Sequence, residues 1–81
     1  MLLAYLNAAL ERAHYEMIED EEPFYAEVPG LQGVWATGTT LEDCRRKLQA
    51  AIEDWVLFTV SQGDEPPALG TVSLPLPRKI A

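Results

Sequence analysis

Cysteine and histidine are almost absent from this chain of 81 residues, which contains one of each, Cys44 and His14. A single cysteine cannot form an intramolecular disulfide, and one cysteine with one histidine cannot build a Cys/His zinc site within the chain. Disulfides persist mainly in oxidising compartments, so this composition favours a cytoplasmic location. No metal site is expected from these residues.

Basic residues are also scarce, since six Lys and Arg stand against thirteen Asp and Glu and the net charge is −7. Affinity for nucleic acid backbones comes largely from clustered Lys and Arg, so direct DNA binding is not expected. An acidic surface suits a basic protein partner instead. No apolar run reaches the ~20 residues that span a bilayer. Met1–Leu10 lacks the basic leading region and cleavage site of a signal peptide, so no membrane contact is expected.

The length of the chain predicts a single small domain. A domain of about this size buries only roughly 60–65% of the surface of its unfolded chain, so its stability is marginal. Because disulfides and structural metals are not available as supplements, packing between subunits is the natural one, and a homo-oligomer is expected.

The apolar periodicity predicts an N-terminal helix followed by the order β-β-β-α-β. Residues 1–13 form the helical segment, residues 14–75 the main domain and residues 76–81 a tail. This order is typical of a two-layer α+β fold with an antiparallel sheet and the long helix on one face. The predicted elements are a helix over Met1–Arg12, strands over His14–Asp20, Phe24–Val28 and Val34–Thr37, a helix opening at Gly38–Glu42, and a strand over Thr71–Leu74.

The second helix carries a start signal and an apolar stripe. Thr39 is placed to cap it, and Glu42 three residues later completes a capping box. Helical spacing over about five turns predicts the buried face. Its members are Leu41, Cys44, Leu48, Ala51, Ile52, Trp55 and Phe58. The first helix must dock on something to persist, either the domain's own sheet or a second subunit.

No set of residues forms a recognisable catalytic pattern, so a binding protein is favoured over an enzyme. A metal-dependent nuclease needs converging carboxylates, and the spacing of the candidates does not bring them together. Cys44 lies on the apolar stripe, where cysteine acts as a small hydrophobe. His14 has no carboxylate at an informative spacing, and no glycine-rich phosphate loop occurs. No cofactor is implied. The candidate carboxylates are Glu16, Asp20, Glu27, Glu42 and Asp43.

Two features of the sequence each leave two interpretations open. The consecutive cations Arg45, Arg46 and Lys47 either form a solvated helix face or touch an acidic neighbour or a phosphate. Trp35, on a half-polar strand, is either an interface anchor, because tryptophan is enriched at binding hot spots, or a core residue.

The segment from Tyr15 to Glu42 resembles the HicB family of antitoxins. The residues that carry the resemblance are the acidic hairpin Glu19–Glu22, the run FYAEVPGLQGVWATGTTLEDC that follows it, and the small residues at Ala50 and Ala51. The similarity extends over residues 14–75. Its PGLQG and TGTTLE elements consist of turn and cap residues, so they specify a fold rather than a reaction.

The resemblance implies a partial ribonuclease-H-like fold and a role in neutralising HicA, a small basic toxin that cleaves messenger RNA. The charge of −7 has the right sign for such a partner. HicB proteins that repress their own operon carry a C-terminal DNA-binding domain, which is not expected in this chain, so direct repression is not expected either. The expected partner-binding residues are Asp20, Glu21, Glu22, Tyr25 and Trp35.

Two alternatives to the antitoxin remain. The first is an orphan homo-oligomeric domain without a toxin partner, in which the first helix and the exposed sheet face pack on copies of the chain. The second, less favoured, is a divalent-metal nuclease built on the ribonuclease-H scaffold.

Overall fold

The computed structural model describes residues 2–69, which form two helices and one antiparallel sheet. The α+β prediction is confirmed. The predicted strand Thr71–Leu74, the domain boundary at residue 75 and the tail lie outside the described residues. In chain order the elements are α1 (Leu2–Arg12), β1 (His14–Met17), β2 (Phe24–Glu27), β3 (Trp35–Gly38) and α2 (Leu41–Ser61).

The three strands form a meander in the order β1-β2-β3. β1 ends earlier than predicted. The amide of Ile18 still donates to the carbonyl of Pro23 (2.8 Å), but Pro23 has no N–H to return the bond, and the chain then bends through the acidic turn. β3 begins one residue later than predicted, because the amide of Val34 closes a turn by donating to the carbonyl of Leu31 (3.2 Å). The turns therefore set the strand limits.

Strand alternation decides which residues meet α2. Tyr15, Ala26 and Ala36 are paired across the three strands and therefore share one face of the sheet. Ala26 and Ala36 are buried on that face, where α2 packs against β2 and β3. Small residues at these positions let the helix approach the sheet closely.

The buried stripe of α2 differs from its prediction. It consists of Cys44, Leu48, Ile52 and Val56, whereas Leu41 and Phe58 are 51% and 64% exposed. Four residues make slightly more than one helical turn, so each step of four moves the buried position by about 40° around the helix axis. The buried stripe therefore rotates by about 120° from Cys44 to Val56. This rotation carries the contact away from Phe58, and Leu41 is only the first residue of the helix. Contacts with the sheet and with α1 determine which residues of α2 are buried. The apolar periodicity of the sequence alone does not specify them.

The cap of α2 is Thr40, and the prediction of Thr39 is wrong by one residue. The Thr40 hydroxyl accepts a hydrogen bond from the amide of Asp43 at 3.0 Å. Gly38 still belongs to β3, so Thr39 is the connecting residue and the helix begins at Leu41. The third helical position is therefore Asp43 rather than Glu42.

Thr40→Ala is expected to lower the free energy of unfolding by about 1 kcal/mol, because the amide of Asp43 loses its acceptor. Thr39→Ala is the matched control and should have a much smaller effect. Chemical denaturation of both variants measures the difference. Equal losses in the two variants would contradict the assignment of the cap.

Helix α1 docks on α2. Among the described elements it contacts α2 and none of the three strands. Tyr5 is fully buried, and its hydroxyl donates to the carbonyl of Pro67 at 2.7 Å. Leu6, Ala9 and Leu10 are buried beside it. The apolar side of α1 therefore packs on α2 of the same chain and not on the sheet, which was one of the two docking sites considered.

Candidate protein-binding face

The sheet has a second face that neither helix of the described chain covers, and we call it the open face. By strand register, the residues of the open face are those that alternate along each strand with the residues facing α2. Charged and aromatic side chains occupy most of the open face. It lacks the small, buried residues that are found on the side facing α2. Its members are His14, Glu16, Tyr25, Glu27, Trp35 and Thr37.

An aromatic pair lies at the centre of this face. Glu27 is opposite Trp35 and Tyr25 is opposite Thr37 in the β2–β3 register, so Tyr25 and Trp35 are diagonal neighbours. Their rings stack with centroids 6.2 Å apart and planes inclined by 25°. Trp35 nevertheless keeps 56% of its surface exposed. Of the two interpretations of Trp35, the core residue is excluded.

Glu27 is coupled to the aromatic pair. The Tyr25 hydroxyl donates to Glu27 Oε1 at 3.0 Å, across a spacing of two residues on one strand. This bond, desolvation and the negative charge of Glu27 raise the pKa of Tyr25, because ionised tyrosinate would lose the bond and repel the carboxylate. The Tyr25 hydroxyl therefore acts as a hydrogen-bond donor and holds the Glu27 carboxylate beside the two rings.

The connection between β2 and β3 forms a wall next to the aromatic pair. It contains two successive turns, closed by the amide of Leu31 on the carbonyl of Val28 (3.1 Å) and by that of Val34 on Leu31. Gly30 and Gly33 have positive φ values of 91° and 84°, which the third position of a type II turn requires. Both turns were predicted from the sequence as one tight segment.

A pocket of about 440 Å³ opens between this wall and the open face. Its lining combines the aromatic pair and Glu27 with the turn residues 28–34. Val28, Leu31 and Val34 are buried, so three side chains anchor the wall in the core. Sequence reasoning missed the pocket. The available signal was the spacing of Pro29, Gly30 and Gly33 beside two aromatic residues on one strand face.

The predicted acidic contact Glu22 is occupied within the domain. Its Oε1 accepts from the Thr37 hydroxyl at 2.6 Å, and its Oε2 accepts from Lys47 Nζ at 3.0 Å. Lys47 also lies 3.4 Å from Asp43 Oδ2. The hydrogen bond from Thr37, followed by that from Lys47, holds the pKa of Glu22 below its usual value. Lys47 thus touches acidic neighbours, which is one of the two interpretations of the basic run.

The other two cations of that run differ from Lys47. Arg46 pairs with Asp43 one helical turn earlier while 77% of its side chain stays exposed. Arg45 is exposed, which agrees with the other interpretation of the basic run, a solvated helix face. The basic run therefore stabilises the start of α2 more than it forms a binding patch.

Glu22→Gln is expected to reduce the acid sensitivity of the fold. A carboxyl whose pKa is lowered by folding adds stability above its unfolded pKa, and this contribution is lost as the pH falls through the folded value. The variant should therefore melt at a lower temperature than the parent at about pH 7 and lose less on acidification to about pH 3. Thermal denaturation against pH checks this. A Glu22→Gln protein whose melting temperature depends on pH as that of the parent does would contradict this expectation.

The five predicted contact residues fall into two groups, which are Asp20, Glu21 and Glu22 in the acidic hairpin and Tyr25 and Trp35 on the open face. Asp20 and Glu21 lie in the turn beyond the Met17–Phe24 end of the β1–β2 hairpin, where Asp20 Oδ1 accepts from the amide of Glu21 at 2.8 Å. Trp35 lies opposite Glu27 at the other end of β2. The length of β2 separates these ends by about 10 Å. A partner that contacts both Trp35 and the hairpin turn therefore spans the length of β2.

The remaining chemistry-bearing residues do not assemble a reaction centre within residues 2–69. No three His, Cys, Asp or Glu side chains of that range come close enough to hold a metal ion. Cys44 is buried, as predicted, and its thiol donates to the carbonyl of Ala36 at 3.6 Å. Burial, the largest cause, raises the pKa of this thiol. His14 is exposed on the open face.

Neither α1 nor α2 has both the length and the apolar character needed to cross a membrane.

The fold and the exposed face define a small α+β domain with one helix-covered and one open side of its sheet. A model of the UPF0150-like family matches residues 4–67, and the chain belongs to that family. The crystal structure of TTHA0281 from Thermus thermophilus is 56% identical in sequence, with a TM-score of 0.92 over 95% of each chain. No curated protein matches the chain.

Proposed function

We propose that this chain is a protein-binding domain of the antitoxin type, and that its open face takes a small basic partner. The observation that carries the proposal is the stacked pair Tyr25–Trp35, exposed on a sheet face beside carboxylates and a pocket. Exposed tryptophan and tyrosine are the residues most enriched at binding hot spots. Trp35 keeps 56% of its surface exposed within the stacked pair, so the indole is accessible to a partner.

The charge distribution supports a basic partner. The strands carry Glu16 and Glu27 on the open face and no lysine or arginine. Three of the four cations among the described residues lie in α2, and two of those are paired with carboxylates. The two carboxylates of the open face have no cation on the same face, so this face suits a partner of opposite charge, and the net charge of −7 adds to the rate of encounter.

The resemblance of residues 14–75 to HicB antitoxins supports a specific class of partner, a small basic toxin that cleaves messenger RNA. In this proposal the domain neutralises the toxin by covering it, and supplies no catalytic group of its own. The tests are purification of the tagged protein from its native cells at low salt and assay of any co-eluting protein. A stoichiometric small basic protein that cleaves RNA once released supports the proposal, and recovery of this chain alone contradicts it.

Charge reversal is expected to show which acidic group contacts the partner. Glu16→Lys with Glu27→Lys should lower the affinity at low salt by at least about tenfold and flatten its salt dependence, because both carboxylates lie on the open face. Asp20→Lys with Glu21→Lys should do the same only if the partner also reaches the hairpin. Isothermal titration at two salt concentrations measures both. Unchanged affinity in both variants would remove the open face from the interface.

A second candidate function is a homo-oligomeric domain without a toxin partner, favoured by exposed apolar residues on β1. Tyr15 and Met17 point to the helix side of the sheet but remain 37% and 65% exposed, since α2 contacts β2 and β3 and not β1. Met17→Lys should turn such an oligomer into monomers, as light scattering would show. Deletion of α1 is a poor test, because it would uncover the core around Tyr5.

A further inference from the structure

We propose that the pocket beside the aromatic pair binds the guanidinium group of an arginine side chain presented by the protein partner. The inference rests on the proposed function, because it names the chemical group by which the partner is recognised. The pocket is lined by Tyr25, Glu27 and Trp35 on one side and by the turn residues 28–34 on the other.

The exposed surface of Trp35 supplies the first half of the site. Tyr25 stacks against this indole, and 56% of the Trp35 surface remains free for a ligand. Among aromatic side chains, tryptophan attracts cations most strongly, and a planar guanidinium can lie flat against its ring. The ring pair thus offers a surface for a cation rather than only for an apolar group.

Glu27 supplies the second half. Its Oε1 already accepts from the Tyr25 hydroxyl, and its Oε2 has no hydrogen-bond partner within the described chain. The bond from Tyr25 fixes the carboxylate next to the rings and leaves Oε2 available. A guanidinium placed over Trp35 can donate to this carboxylate, which is a charge-assisted hydrogen bond and stronger than a neutral one.

The shape and rigidity of the pocket favour arginine over lysine. A volume of about 440 Å³ accommodates a long side chain together with backbone of the partner. The ammonium group of lysine is a compact, strongly hydrated charge, whereas the guanidinium is planar and less hydrated. The wall is fixed by two closed turns and three buried side chains, so little ordering is required when the ligand enters.

An NMR titration of the full chain with N-acetyl-arginine amide tests this assignment. The indole N–H signal of Trp35 is expected to shift with saturation, whereas that of Trp55 on α2 serves as an internal reference and should not move. N-acetyl-citrulline amide has nearly the same shape and no charge, and it should bind at least about tenfold more weakly. The lysine derivative should also bind more weakly than the arginine derivative.

Two matched variants complete the test. Glu27→Gln keeps the shape of the pocket and should weaken the arginine derivative at least about tenfold, whereas Glu42→Gln on the exposed side of α2 should leave it unchanged. Equal binding of the citrulline and arginine derivatives would overturn the inference. So would a Trp35 signal that does not move.

The two proposals fail in different ways. If a basic toxin co-purifies and its affinity is the same for the parent and for Glu27→Gln, the arginine site is wrong and the proposed function stands. If the arginine derivative binds as expected but no basic partner is recovered, the pocket stands and the antitoxin function is wrong.

Discussion

Gly38→Ala is expected to lower the free energy of unfolding by roughly 3 kcal/mol, the upper end of the usual cost of overpacking. The last residue of β3 lies directly against the first turn of α2. A methyl group on Gly38 would come within 2.7 Å of the Cα atom of Cys44, and closer still to its backbone nitrogen. Real Cβ atoms essentially never approach another atom so closely, so the strand and the helix would have to move apart.

The expected loss comes from contact and not from backbone conformation. Gly38 is not among the glycines with positive φ, so alanine is compatible with its dihedral angles. The clash involves backbone atoms of Cys44, which no side-chain change removes. The loss in free energy of unfolding caused by Gly38→Ala should therefore be the same in the Cys44→Ala protein as in the parent.

Urea denaturation of the four proteins in this cycle gives the answer. Gly63→Ala is a useful comparison, because Gly63 has φ of 81° and open space around it. That variant should lose only the roughly 1–2 kcal/mol of a left-handed backbone. A Gly38→Ala protein as stable as the parent would show that β3 and α2 are not in the close contact described.

Trp35→Ala is expected to weaken binding of the basic partner by about 2–4 kcal/mol, or at least about thirtyfold, while the fold survives. The indole is the most exposed large aromatic surface of the open face, so its removal deletes most of the apolar area that a partner can bury. Its contribution to stability is small by comparison, since more than half of the indole is exposed and about 1 kcal/mol is expected from its stacking on Tyr25.

The measurement separates binding from folding. Titration with the partner gives the affinity, and denaturation gives the free energy of unfolding of the same variant. Leu57→Ala is the matched control, because Leu57 is similarly exposed, at 63%, but lies on α2 away from the open face. Loss of affinity in Leu57→Ala with none in Trp35→Ala would place the interface on the helix instead.

Part of the candidate site was predictable because it depends on local pattern. Alternation within two short strands places Tyr25 and Trp35 on one face, opposite the buried Ala26 and Ala36. The separation of the acidic hairpin from Trp35 was not predictable, because it follows from the antiparallel register of β2 with both neighbours. Glu22 shows the same limit, since its partner Lys47 is 25 residues away in the chain.

The sequence by itself determined the α+β class, the order of the described elements, the glycine-containing turn segment between β2 and β3, and the burial of Cys44. Each of these follows from the period of apolar residues or from the dihedral freedom of one residue, which act over a few positions. Only the tertiary structure decided that α1 docks on α2, that Thr40 caps α2, that the helix stripe rotates toward Val56, and that a pocket opens beside Trp35. These features depend on contacts between elements distant in the chain, whose relative placement no local pattern contains.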